Sequence, residues 1–130
     1  MLDCVGTEAV KPVERYRPET ENLIGEGCYI VELHNSDTDE DCSIARARLG
    51  PGKTTRLQCL ATTIERYVIL EGAGEVQIDR AAPQGVRPLD VVNSPADAPQ
   101  CITNTGQADL VFLCICTPRF AAENYRDLEE

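Results

Sequence analysis

The residues of this chain best suited to chemistry are an acid and a phenol two positions apart. Glu65 and Tyr67 alternate within a short β-pattern, so their side chains should share one face of a strand. A buried phenol near a carboxyl group could donate a proton or hold a ligand oxygen. The commoner alternative is a core tyrosine whose hydroxyl group has a hydrogen-bond partner.

The acidic residue belongs to the first of two spacing patterns in the chain. The first pattern has five positions, in chain order Gly52, Gln58, Leu60, Glu65 and Gly72. The second runs from Pro95 to Gln100 and ends, after three further residues, at Asn104. Together they resemble the two motifs of the cupin superfamily, over residues 43–118. The resemblance implies an all-β fold, the double-stranded β-helix or jelly-roll barrel of small single-domain cupins.

The resemblance also implies where a metal would be held, because cupins usually use two histidines, a glutamate and a final histidine. The corresponding residues here are Gln58, Leu60, Glu65 and Gln100. Transition metals prefer imidazole, thiolate or carboxylate, so we expect no tightly bound metal. A divalent ion held by Gln58, Glu65 and Gln100 should bind weakly, since this set has one negative charge. Alternatively, the two amides hydrogen-bond Glu65 or ordered water.

In such a barrel a small-molecule site should form at the motif residues. The residues expected to bind the ligand are Gln58, Leu60, Glu65, Tyr67, Gln100 and Ile102. Polar groups in an apolar wall are typical of ligand sites. A buried Glu65 without a cation should resist ionisation, because burial disfavours the charged form. We therefore expect a neutral or cationic organic ligand with hydrogen-bond donors.

The chain is expected to be organised around this one barrel. Residues 1–25 are polar and irregular and should form an N-terminal arm, and residues 26–118 should form the barrel. Residues 119–130 should form a C-terminal tail with a short acidic helix. Two positions inside the barrel, Leu89 and Asp97, depart from the family pattern, which has glycine at both.

Charge and composition limit the partners of the chain. It has 22 acidic and 12 basic residues, a net charge of −10 and a pI near 4.5, so nucleic acids and anionic membranes should be repelled. No apolar run reaches the roughly 20 residues that span a bilayer. The first residues lack the basic and apolar segments of a signal peptide. We expect a cytoplasmic protein without nucleic-acid or membrane partners.

Seven cysteines are a high number for a chain of 130 residues. Without a secretion signal, they favour reduced and mostly buried thiols that act as small apolar side chains. A zinc cluster is the alternative, because Cys114 and Cys116 share a strand face. Their spacing is not one of the standard zinc spacings.

Alternation within the strands indicates which faces point inward. Ser43, Ala45 and Ala47 are small enough for a packed interior, so the alternating Arg46 and Arg48 should point outward.

Two other strands lead to expectations about what lies against their outer faces. If the face of Tyr29, Val31 and Leu33 is inward, His34, the only histidine, points to solvent or to a neighbour. Residues 110–117 form a continuous apolar strand, and this indicates that its outer face meets another layer or subunit. Since open jelly rolls also leave strand edges to be covered, we expect a homodimer.

Three functions remain open from the sequence. The first is a barrel that binds a small organic molecule without a strong transition-metal site. The second is a metal-dependent enzyme of the dioxygenase or isomerase type that uses Glu65 with non-histidine ligands. The third is a structural module whose barrel is only packed core.

Overall fold

The structure is a computed structural model that describes residues 11–129. The strands in this range are β1 (Asn22–Leu23), β2 (Tyr29–His34), β3 (Ser43–Leu49), β4 (Gln58–Leu60), β5 (Ile64–Glu71), β6 (Gly74–Ile78), β7 (Gln84–Val86), β8 (Val91–Ser94), β9 (Gln100–Asn104), β10 (Leu110–Thr117) and β11 (Tyr125–Asp127). Residues 1–10 of the expected arm and residue 130 of the expected tail lie outside the described residues.

The strands form two antiparallel sheets that enclose one core. One sheet has the order β1-β2-β3-β10-β5-β8, and the other has the order β11-β4-β9-β6-β7. Ala47 and Phe112 of the first sheet pack in the same core as Val76 and Ile102 of the second. Burial of these apolar side chains is the main favourable contribution to folding. The all-β, double-stranded β-helix prediction is confirmed. Within residues 11–129, no helix is long and apolar enough to span a membrane.

Strand β3 has the faces that its alternation predicts. Ser43 and Ala47 are buried, whereas the guanidinium groups of Arg46 and Arg48 lie 3.6 and 2.8 Å from the Glu21 carboxylate. The described part of the arm therefore lies over the outer face of β3. The Arg46 guanidinium is also 5.9 Å from the centre of the Tyr16 ring, which fixes the arm at a second point.

The apolar alternation of strand β2 suggested that the face of Tyr29, Val31 and Leu33 is inward. In the structure the opposite face is inward. Ile30 and Glu32 pair with the inward alanines of β3, so they share the inner face. Val31 is on the outer face, yet only 1% exposed, because the arm covers this side. The ring nitrogens of His34 lie 2.6 and 2.7 Å from two carboxylates, so it does not simply point to solvent.

The C-terminal residues correct another expectation, because the short acidic helix is not formed. Residues 122–124 make one turn of 3-10 helix, and the next three form β11, which pairs antiparallel with β4. Backbone hydrogen bonds of 2.8 and 2.9 Å flank this pairing. The unpaired edge of β4 provides donors and acceptors that an isolated short helix would lack, so tertiary pairing determines the conformation.

Both positions at which the sequence departs from the family's glycines have a backbone that normally requires glycine. Leu89 has φ +74° and Asp97 has φ +68°. This left-handed region strains residues that carry a Cβ atom, and Asp tolerates it better than Leu. The Asp97 carboxylate also accepts a 3.3 Å hydrogen bond from the backbone N–H of Thr62. The loop shape is thus the same as glycine would give, although the residue differs.

The glycine that ends the first motif gives a test of the fold. Gly72 has φ +88°, and a Cβ atom there would lie 2.7 Å from the backbone oxygen of Asp109. We expect Gly72→Ala to lower the free energy of unfolding by about 2 kcal/mol, through strain and steric overlap. Urea unfolding measures this change. Gly85→Ala is the control, since the nearest atom is 4.0 Å away; equal stability of the two variants would contradict the account.

Candidate functional site

The three polar motif residues meet inside the barrel. Gln58 on β4 and Gln100 on β9 are direct cross-strand partners, and the Gln100 amide nitrogen donates a hydrogen bond to the Glu65 carboxyl group on β5. Their exposed fractions are 2%, 1% and 9%. Alternation had predicted this inward orientation. Leu60, Tyr67 and Ile102, the other three expected binding residues, are also buried.

Glu65 lies on the inner face of β5, a strand that pairs with β10 on one side and with β8 on the other. Its position faces Cys116 on one side and Ser94 on the other. The Cys116 thiol donates a hydrogen bond to the second carboxyl oxygen, over 3.7 Å. Burial raises the pKa of Glu65 to about 7, although the Gln100 hydrogen bond opposes that rise. This carboxyl group can therefore gain or lose a proton near neutral pH.

The residues at the family's ligand positions do not fit a transition-metal centre. Gln100 presents an N–H group to Glu65, so the atom facing the carboxyl group is a donor and not a metal ligand. Leu60 has no donor atom, and neutral amides are weak ligands for these metals. Among residues 11–129, no group of three or more His, Cys, Asp or Glu residues is arranged to hold a metal ion.

A cavity of about 280 Å³ opens beside this cluster. We call it the β2–β10 cavity. Its walls are the inner faces of β2, β3, β5 and β10 together with two loops, around residues 24–26 and 120–122, and Tyr125 at the start of β11. Of the six residues expected to bind a ligand, Glu65 lines the cavity. The other five lie in the packed interior around it and do not line its wall.

Two further acids line the β2–β10 cavity, Glu26 and Glu32, and the sequence reasoning did not select them. The inward face of β2 gives a signal for Glu32, because it alternates with Ile30. Glu26 lies in an irregular loop between two glycines, where no periodicity marks it. Burial raises the pKa of Glu26, against the opposing effect of a 3.3 Å hydrogen bond from the Cys28 thiol.

Thiols make up part of the cavity wall. Cys114 and Cys116 both line it, in agreement with their shared strand face. Burial, followed by the charge of Glu65, raises the pKa of both thiols. They therefore stay protonated at neutral pH and are weak nucleophiles, because the thiolate is the reactive form.

Two buried polar atoms at this end of the barrel lack partners within the described residues. They are the carbonyl oxygen of the Gln100 amide and the hydroxyl oxygen of Tyr125. Tyr125 lines the cavity, and burial raises the pKa of its phenol to about 12. Buried polar groups normally have hydrogen-bond partners, so the Tyr125 hydroxyl group in the cavity wall is a candidate contact for a ligand or for water.

Comparison with known proteins identifies the fold. No family model and no curated protein matches the chain. The cupin domain of Cnp3 from Schizosaccharomyces pombe superposes with a TM-score of 0.68 at 15% identity, over 80% of this chain and 73% of that one. This chain has the cupin fold. A predicted oxalate decarboxylase from Thermotoga maritima gives a TM-score of 0.65 at 25% identity, over 70% of this chain and 80% of that one.

A third similar structure is an enzyme. Pac13, a nucleoside dehydratase, gives a TM-score of 0.71 at 12% identity, over 88% of this chain and 89% of that one. Similarity at this level establishes the shared architecture only, since one fold supports many chemistries.

The buried carboxyl group gives the protein a pH-dependent stability that Glu65→Gln should remove. Between the usual pKa of 4.5 and about 7, folded Glu65 holds a proton that the unfolded chain has lost. The protonated Glu65 side chain therefore stabilises the folded protein at low pH, and this stabilisation is lost as pH rises through 7. At pH 8 we expect Glu65→Gln to be more stable than the wild type by about 3 kcal/mol, and at pH 4.5 equally stable.

Thermal and urea unfolding across this pH range measure the effect. The matched control is Glu71→Gln, an exposed glutamate on the same strand, which should leave the profile unchanged. A Glu65→Gln profile parallel to that of the wild type would mean that Glu65 titrates normally in the folded state.

Proposed function

We propose that this cupin binds a small organic molecule in the β2–β10 cavity, without the histidine metal centre common in its fold family. The observation that supports this most is Glu65, which is a motif residue and also lines a cavity of about 280 Å³. Small-molecule sites are concave and mostly apolar, with a few oriented polar groups. The apolar wall here includes Ile24, Ile30 and Ala45, and the polar groups include Glu65 and Tyr125.

An acid–base enzyme is the second candidate, because Glu65 has a pKa of about 7 and faces the cavity. A carboxyl group in this range can act as a general acid or base near neutral pH. This candidate replaces the metal of the dioxygenase or isomerase hypothesis with proton transfer by a protein side chain. Turnover of a bound ligand, lost in Glu65→Gln while binding persists, would favour it over simple binding.

We propose also that the protein is a cytoplasmic homodimer. The six described cysteines are free thiols, which suits a reducing compartment. The outer face of the first sheet has an apolar row across three strands, formed by Val91 on β8, Val68 on β5 and Leu113 on β10. Val91 is 55% exposed. An apolar row beside the open edge of β8 is suited to contact with a second copy.

Filling the cavity tests the proposed binding site. Ala45 lines it from β3, so Ala45→Leu should occupy part of the space without adding charge. We expect small molecules that raise the melting temperature of the wild type to lose their effect on this variant, because they no longer fit. Thermal-shift screening measures this, and circular dichroism checks that the variant is folded.

Ala82→Leu, at an exposed loop position, is the matched control and should respond like the wild type. Hits that stabilise Ala45→Leu as strongly as the wild type would place the ligand outside the β2–β10 cavity.

The apolar row leads to a separate expectation about assembly. Light scattering should give a mass of two chains at micromolar concentration, and Val91→Asp should give a mass of one, because it buries a charge in the interface. Val13→Asp, at a residue equally exposed in the arm, should leave the dimer intact. A wild-type mass of one chain would overturn the dimer, and dissociation caused only by Val13→Asp would move the interface to the arm.

A further inference from the structure

The charge of the β2–β10 cavity restricts the chemical class of its ligand. Among residues 11–129, three carboxyl side chains line it, those of Glu26, Glu32 and Glu65, and no Lys, Arg or His residue does. An anion would enter a site without a compensating charge, and such burial is unfavourable. A cation would find carboxyl groups that have no other charge partner in the wall.

The cavity wall is also suited to an organic group rather than to a bare ion. Ile24, Ile30 and Ala45 provide apolar surface, and two aromatic side chains, Phe120 and Tyr125, line the same space. Aromatic faces attract cations, organic ammonium groups among them. The buried Tyr125 hydroxyl oxygen, which has no partner within the described residues, can accept a hydrogen bond from an N–H group.

We propose that the ligand of the β2–β10 cavity is a small organic ammonium ion, held by the carboxylates of Glu65 and Glu26 with its carbon groups against the isoleucine and aromatic wall. This inference rests on the proposed function and makes its ligand class more specific. It also explains why a cupin can dispense with the usual metal, because a ligand cation would supply the positive charge that Glu65 lacks in the chain itself.

Binding should be coupled to proton release. Without ligand, burial raises the pKa of Glu65 and of Glu26, and the charge of Glu26 adds to the rise at Glu65. A cation beside these groups favours their charged forms. Any proton held by Glu65 or Glu26 in the free protein passes to solvent as the ammonium group binds, so that the ammonium ion is paired with both carboxylates. Protonated thiols at Cys114 and Cys116 also face Glu65, but they remain neutral throughout.

The test compares three molecules of one shape that differ in charge: cyclohexylammonium, cyclohexanol and cyclohexanecarboxylate. Isothermal titration calorimetry at pH 6, in two buffers of different ionisation enthalpy, measures affinity and the number of protons exchanged. We expect the ammonium ion to bind at least about tenfold more tightly than the alcohol, with proton release, and the carboxylate not to bind. Its affinity should increase from pH 5 to pH 8.

Glutamine variants locate the effect. Glu65→Gln and Glu26→Gln should each remove most of the preference for the ammonium ion over the alcohol and reduce the proton release. Glu71→Gln, exposed on the same strand as Glu65, should change neither. The increase of wild-type affinity with pH tests the inference even if a glutamine variant does not fold.

The outcomes separate this inference from the proposed function. If the alcohol binds as tightly as the ammonium ion and Ala45→Leu abolishes both, the cavity is a ligand site but the cationic class is wrong. If none of the three binds at millimolar concentration, both proposals fail. If Zn²⁺ or Cd²⁺ alone binds stoichiometrically, and Cys116→Ser removes it, the cavity is a thiolate metal site and the ammonium proposal is overturned.

Discussion

The central physical constraint on this structure is a carboxyl group enclosed in the barrel with no cationic side chain beside it in the part of the chain that the structure describes. Glu65 is 9% exposed, and removal of a charge from water is unfavourable unless it is paired. The surroundings compensate with uncharged donors, the Gln100 amide and the Cys116 thiol, and with a proton on the acid itself. The pKa near 7, the protonated thiols and the acidic cavity follow from this arrangement.

The motif spacing was sufficient to predict the barrel and the residues that meet inside it. Strand alternation correctly predicts that Gln58, Glu65 and Gln100 point inward, because residues two apart share a face and the facing strands follow from the fold. The spacing could not locate the cavity. Its wall includes Glu26 and Tyr125, which lie outside the motifs in segments without periodicity, and their positions depend on tertiary contacts.

The two other differences also have tertiary causes. The apolar alternation of β2 correctly marks Val31 as buried, but the arm buries it from outside, so burial did not indicate the barrel interior. The acidic segment near the C-terminus was expected to form a short helix. Its residues Tyr125–Asp127 instead pair with the open edge of β4 as strand β11. At Leu89 and Asp97 the backbone has the left-handed conformation that glycine usually adopts, although both residues carry a Cβ atom.

The construction of the cavity wall has a consequence for how such a protein can change over time. Its floor comes from central strands, where substitutions would disturb the packing of the barrel. Two other wall segments, here called the rim, are residues 24–26 and 120–122, which lie outside the strands. Selection for a new ligand can therefore act on the rim while selection for stability preserves the floor. Related barrels can thus diverge in recognition faster than in architecture.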